Sequence, residues 1–361
     1  MKKSVETRRR TLGPWLPAII GAAVVVLLAL LPLLNIPGMG ILPGPTYTPG
    51  SLHLMAYIML MVALALSYHM IFGTAGLLSF GHALYFGVGV YGLGIVLERT
   101  DIPLLPAALI VLVIGIFVTN LLGAISLRVT GISFAMVTLA FAQAGNVFVR
   151  RNPGGYTGGD EGLSINTANV PDYLIGVVNT RNLYWVALGI VVLVYLVVMW
   201  VEQTRAGHSI KATRENDMRV RVLGGQPYLI KLLAFVVGGT LAIIVGMAFL
   251  LLQSGASHTY TTAEFTLTLL VMVVLGGVGK RWGAIVGAAV YTILDQRLVA
   301  LARLPEIQQL PAVLRIPLSE PLFLLGTLFI LIVMFLPGGI AGLADRLRKG
   351  AVDEDPLKEP A

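Results

Sequence analysis

Apolar runs of helix length, recurring from residue 14 to residue 336, constrain this chain more than any other feature. A hydrocarbon layer about 30 Å thick needs roughly 20 consecutive apolar residues in a helix. Lipid offers no partner to an open backbone N–H or C=O, so such runs fold as helices that satisfy themselves. Charged residues make up only 12% of the chain, against about 25% in a soluble domain. No polar stretch is long enough to form a separate soluble domain. The expected fold is all-α, a polytopic integral membrane helical bundle of about ten spans. The runs are 14–34, 52–72, 80–97, 103–127, 132–149, 184–201, 229–252, 264–275, 283–299 and 320–336. The third, fifth and eighth are short or glycine-rich, and leave room for broken or re-entrant helices lining an enclosed cavity. Residues 1–13 then form a basic N-terminal segment, 14–340 the transmembrane domain, and 341–361 a charged tail.

Charge orients the bundle. The net charge is +7, and excess Lys and Arg at span ends marks the cytoplasmic side. With the N-terminus inside and alternating spans, 73–79, Arg128, 202–228, Lys280, Arg281 and the tail all fall inside, so both termini are expected to be cytoplasmic. The basic residues in MKKSVETRRR serve retention on that side; no aromatic platform accompanies them, and nucleic acid is not an expected partner. The apolar run that follows is longer than a signal-peptide core and lacks a clear small-residue cleavage site, so it reads as a retained span. The chain has no cysteine, which removes disulfides, thiolate metal sites and cysteine nucleophiles. His53, His69 and His82 are too scattered for a metal site. No G-x-S-x-G elbow or G-x-x-x-x-G-K-[ST] loop occurs, so neither a catalytic serine nor a nucleotide site is expected. No run of acids or histidines crosses the apolar segments, as a proton-coupled carrier would need.

Three polar stretches carry the candidate functional residues. The largest, 202–228, reads EQTRAGHSIKATRENDMRVRVLGGQPY. Residues 212–222 have the pattern of a short amphipathic helix, Gly224 and Gly225 end it, and Pro227 blocks continuation into the next span. Its basic residues suit an acidic groove, with Ile210, Met218, Val222 and Leu223 as apolar anchors. The docking candidates are Gly207, Lys211, Arg214, Glu215, Arg219, Leu223 and Gly224. The alternative is a solvated loop lying on anionic headgroups of the bilayer.

Two glycine-punctuated breaks echo one another: Gly73, Gly76, Ser79, Gly81 and His82 in the first, Gly276, Gly277 and Gly279 in the second. Each precedes a helix of small residues. Paired interruptions in two halves flag a transport pathway; the plainer reading is close helix packing. Backbone N–H groups at the helix start after Gly81 would suit a carboxylate, and His82 reads equally as a packed, hydrogen-bonded histidine. The third stretch, Thr157, Gly158, Gly159 and Asp160, is a glycine-rich turn on the expected outer side, either a contact for a soluble receptor or a plain surface turn.

These motifs, in order, carry a family resemblance. GTAGLLSFGHALYFGVGVYG (73–92), LRVTGISFAMVTLAFAQ (127–143), TGGDEGL (157–163), the 207–247 loop-plus-helix block, MVVLGGVGKRWGAIVGAAV (272–290) and FLPGGIAGL (335–343) resemble inner-membrane permeases of branched-chain amino acid ABC importers. The TGG-x-x-GL block and the long N-terminal part resemble the M-type rather than the shorter H-type permease. The resemblance implies a subunit of the bacterial inner (plasma) membrane that translocates branched-chain or related amino acids. Urea or short amides are the alternative solutes, and a gradient-driven carrier or channel the alternative mechanism. It also implies a second, H-type permease, a soluble solute-binding protein and two ATP-binding subunits, with 202–228 sitting in a groove of the ATPase. No cofactor is expected on this chain; ATP and Mg would be used by those partners.

Overall fold

The computed structural model describes residues 16–37, 42–301, 320–335 and 338–343. The basic segment 1–13, the 303–319 loop and the tail beyond 343 lie outside the described residues. The α-helices among the described residues are α1 (Leu16–Leu30), α2 (Pro49–His69), α3 (His82–Arg99), α4 (Leu104–Ser126), α5 (Ile132–Arg151), α6 (Thr180–Gln203), α7 (Arg205–Glu215), α8 (Asp217–Val222), α9 (Pro227–Gln253), α10 (Ala263–Gly276), α11 (Arg281–Leu301) and α12 (Pro321–Phe335). A single turn of π-helix, Met70–Thr74, extends α2. The one sheet among the described residues is a two-residue antiparallel pair, β1 (Leu163–Ser164) with β2 (Gly255–Ala256).

Among the described residues, five helical segments are long and apolar enough to cross a membrane: 49–74, 104–126, 132–151, 177–203 and 227–253. A sixth span arises if α10 and α11 count together; they meet at a 118° bend. The ten expected apolar runs are distributed unevenly over these segments. Runs eight and nine form one sharply bent pair, run three is the helix that follows a break, and runs one and ten give helices of 15 residues each among the described residues. The glycines at 276–279 end α10 before it reaches spanning length, which an apolar count alone does not register.

Helices α2 and α9 form the centre. α2 packs against α6, α9 and α11, and α9 also against α3 and α4. Leu60, Met61, Leu64 and Leu66 of α2 and Phe235, Ile243, Phe249 and Leu250 of α9 are buried. α4 and α5 instead present Leu105, Leu109, Val113, Phe117, Ile132 and Phe148 outward, as lipid-facing helices do. α3 and α9 run side by side in the same direction and approach through glycine. A Cβ on Gly246 would stand 2.3 Å from the Phe86 carbonyl oxygen, and one on Gly89 would stand 2.2 Å from that of Ile243. Without a hydrophobic force between helices in lipid, this close packing supplies the contact energy.

The segments expected inside gather at one end of the bundle. The break after α2, the α4–α5 turn, α7, α8, the α10–α11 turn and residues 338–341 meet there through Arg214, Gly277 and Lys280. The segments expected outside gather at the other. Arg99 donates to the Gly155 carbonyl at 2.6 Å, Asn169 to that of Thr100 at 2.9 Å, and β1 pairs with β2.

Candidate functional site

Glu202, in the last turn of α6, organises the inner end. It is buried, and its carboxylate gathers four elements. Oε1 accepts from Thr74 Oγ1 at 2.9 Å and pairs with His69 Nε2 at 3.2 Å. Oε2 forms an ion pair with Arg281 Nε at 3.0 Å, and the half-exposed Lys211 ammonium lies 3.9 Å away. An ionised carboxylate only accepts, so the His69 proton sits on Nε2. His69 belongs to α2, Thr74 to the π turn, Lys211 to α7 and Arg281 to α11. The Arg281 guanidinium also lies over the Tyr195 ring, 5.7 Å from its centre. Gly73 makes room for the histidine, since a Cβ there would stand 2.1 Å from His69 Nδ1.

Arg214 of α7 reaches the same region from the other side. Its Nη1 donates to the Gly73 carbonyl. Its side chain packs where Gly76, at φ +69°, and Gly279, at φ +94°, leave space. One arginine therefore touches both glycine breaks, and their sequence echo corresponds to a spatial meeting. Gly277 lies beside the 338–341 segment, and Gly276 packs on Gly283 of α11.

The loop helix differs from its expected form. It starts earlier, at Arg205, and is split at Asn216, whose backbone is extended (φ −161°) and whose side chain accepts from Arg219 N at 3.1 Å to cap α8. Thr204 caps α7, and Gly207 sits tightly against the Val201 carbonyl at the turn from α6. Each such cap is worth about 1 kcal/mol. Ile210, expected to face a partner, is fully buried, because α7 lies against the bundle. The exposed apolar residues are on and just after α8: Met218 at 65%, Val222 at 80% and Leu223 at 87%. Gly224, at φ +83°, closes the helix by donating to the Arg221 carbonyl. Glu215 and Arg219 point to solvent.

Hydroxyl groups occupy part of the backbone at the first break. The N–H groups of Phe80, Gly81 and Ala83 are taken by the hydroxyls of Thr138, Ser79 and Thr266. His82 is fully buried with Nε2 2.9 Å from Ser67 Oγ, the packed arrangement, and Tyr68 donates to the Ser79 carbonyl at 3.0 Å.

At the opposite end, Thr157 faces inward and donates to the Val149 carbonyl at 2.7 Å, so it is a support rather than a surface contact. Gly158 and Gly159, both at positive φ, carry the turn to Asp160, which stays exposed. Asp160 accepts from Arg150 Nε at 2.9 Å, and that bond holds its carboxyl below the ordinary value of 3.8. The sign follows directly. A lowered carboxyl stabilises the turn above its ordinary value, and the contribution is lost as pH falls through the lowered one. Hydrogen exchange of the 157–163 amides, corrected for intrinsic rates, is expected to be unchanged by Asp160→Asn in acid, below the lowered value, and faster in the variant at neutral pH.

Two cavities open at this end, of about 480 and 380 Å³. Both are bordered by Gln253 and Tyr260. Tyr260 stacks edge-on with Phe249 (4.7 Å between centres) and Phe265 (5.6 Å), while Phe86 contacts all three. A smaller cavity of about 140 Å³ lies at the Glu202 end, beside Gly76, Gly131 and Arg214.

The Glu202 cluster is the part that sequence reasoning missed. His69 and Glu202 are 133 positions apart. The available signal was that Glu202 is the only acid in α6, placed where an apolar span meets a basic stretch.

The chain is similar to known proteins over most of its length. It is 29% identical over 286 residues to a Salmonella typhimurium protein described as the high-affinity branched-chain amino acid transport system permease protein LivM, covering 69% of this chain and 64% of that one. The Escherichia coli protein of the same description is 27% identical, with the same coverages. A Methanocaldococcus jannaschii protein, described as a probable branched-chain amino acid transport permease protein LivM, is 25% identical, covering 76% of this chain and 88% of that one. The chain thus spans 64% of the length of the first two. No solved structure matches. The family described as the permease component of branched-chain amino acid transport systems matches residues 51–336, and the chain belongs to that family.

Proposed function

We propose that this chain is one of two permease subunits of an ATP-driven importer of branched-chain amino acids in the inner membrane, with both termini in the cytoplasm. The Arg214 contact carries the reading: a residue of the inner loop is seated on both glycine breaks. An ATP-hydrolysing partner that moves α7 and α8 would thereby move the ends of α2 and α10. The exposed Met218, Val222 and Leu223 give that partner an apolar foothold, with Arg219 beside it for an acidic groove. ATP and Mg would be bound by the partner, since this chain has no phosphate-cradling loop. A soluble receptor would meet the exposed Asp160 and Glu161 next to the larger cavity, which Glu161 lines. The larger cavities at that end suit an outward-facing state. Alternating access then requires the partner to bind the two states with different affinity.

The test is reconstitution of the chain with a second permease, two ATP-binding subunits and a receptor, using labelled leucine, isoleucine, valine, urea and acetamide. Uptake of the branched-chain amino acids only with ATP supports the reading. Uptake by this chain alone down a gradient, or selective uptake of urea or acetamide, overturns it.

Arg214 and Arg219 separate cleanly in the same assay. Arg214→Glu is expected to leave partner assembly intact and lower uptake per ATP about tenfold, within the usual range of coupling energies. Arg219→Glu, whose side chain faces solvent, is expected to weaken association and leave the ratio unchanged.

A further inference from the structure

The Glu202 carboxylate has a geometry that the loop contact alone does not require. We infer that Glu202 is the positioning residue that joins the two glycine breaks to the inner helices, so that they move as one piece. The inference rests on the transport reading above for its meaning but not for its geometry.

Four elements converge on one side chain. His69 and Thr74 bring the end of α2 and its π turn to Oε1, while Arg281 brings the start of α11 to Oε2. Lys211 adds α7 at longer range. Arg281 is the second residue after the break at 276–279, and Thr74 lies within the first break, so a single carboxylate sets their separation. The carboxylate and the histidine are buried: Glu202 is 8% exposed and His69 is fully buried, while Arg281, 27% exposed, lies against Tyr195. A buried carboxylate held by charge-assisted bonds has few alternative partners. Letting go of His69 or Thr74 would leave a buried donor unpaired. Arg214 and Glu202 thus hold the breaks differently. Arg214 touches the Gly73 carbonyl and the space left by Gly76 and Gly279. Glu202 ties side chains from α2, the π turn and α11 to α6, a contact that fixes distance. Gly73 belongs to the same device, because any side chain there would push His69 off the carboxylate.

The test has two independent parts. In the reconstituted transporter, Glu202→Gln keeps the shape and one acceptor but loses the charge. Uptake per ATP is expected to fall about tenfold with assembly and basal ATP hydrolysis retained, and Glu202→Asp is expected to recover part of it. Glu98→Gln, an exposed acid at the far end, serves as the control. Thr74→Val removes one hydrogen bond without changing volume, and is expected to give a smaller fall in the same ratio; it serves should the glutamine variant fold poorly. A ratio unchanged in both variants, or a fall in hydrolysis and uptake in equal proportion, overturns the inference.

The second part needs no partner. The chain has no cysteine, so Val278→Cys gives one thiol on the α10–α11 turn. Its labelling rate is expected to rise severalfold in the Glu202→Gln background, because the turn loses its anchor at Arg281. An equal rate overturns the joint. If the unsubstituted complex shows no ATP-dependent uptake, the transport reading fails, while the labelling result still decides whether Glu202 ties the turn.

Discussion

Gly246→Leu is expected to abolish the folded protein. The position faces the Phe86 carbonyl so closely that even a methyl group would stand 2.3 Å from it. The obstacle is backbone within a helix, which cannot rotate away as a side chain can. Overpacking costs about 1–3 kcal/mol where neighbours can adjust, and more where they cannot. The central helix α9 would have to separate from α3, and the aromatic cluster of Phe86, Phe249, Tyr260 and Phe265 would separate with them. Purification in mild detergent followed by size-exclusion chromatography checks the expectation: the variant should run as aggregate or be absent. Gly21→Leu, on α1 with open space around it, should behave as the unsubstituted protein.

The second large effect is expected at the exposed end of α8. Replacing Met218, Val222 and Leu223 together by serine should leave the permease folded, because all three already face solvent. It should also remove most of its affinity for an ATP-binding partner. Burying an apolar side chain of this size is worth roughly 1.5–3 kcal/mol. Covering two of the three would therefore contribute on the order of 3–6 kcal/mol, a factor of about 10² to 10⁴ in Kd. Titration of the purified partner onto immobilised permease measures it. An unchanged Kd would remove α8 from the contact and leave the basic residues as the candidates.

The sequence already carried the class of fold. Apolar runs mark α4, α5, α6 and α9 within a few residues, because lipid leaves a twenty-residue apolar segment no alternative to a helix. It also carried the two breaks and the polar loop, because glycine and charge are conspicuous against an apolar background. Other features were not legible. The run at 264–275 looks like a span on hydropathy, yet it is half of a bent pair, since Gly277 and Gly279 need positive φ and turn the chain back at once. Ile210 looks like an exposed anchor in an amphipathic pattern, yet α7 lies against the bundle and buries it. Thr157 looks like a surface contact, yet its hydroxyl holds the end of α5. Glu202 escaped notice because its partners, His69, Thr74 and Arg281, are joined to it only by the fold.

Distance measurement shows whether that joint holds while the complex changes state. Spin labels on Ala212→Cys, exposed on α7, and Val278→Cys report the separation of the inner helices from the second break, and labels on Val278→Cys and Glu98→Cys report that break against the far end. Between the nucleotide-free complex and the complex trapped with ATP, the first distance should stay the same and the second should change. A first distance that changes while the second stays fixed would mean that the loop moves without carrying the breaks, and would contradict the account.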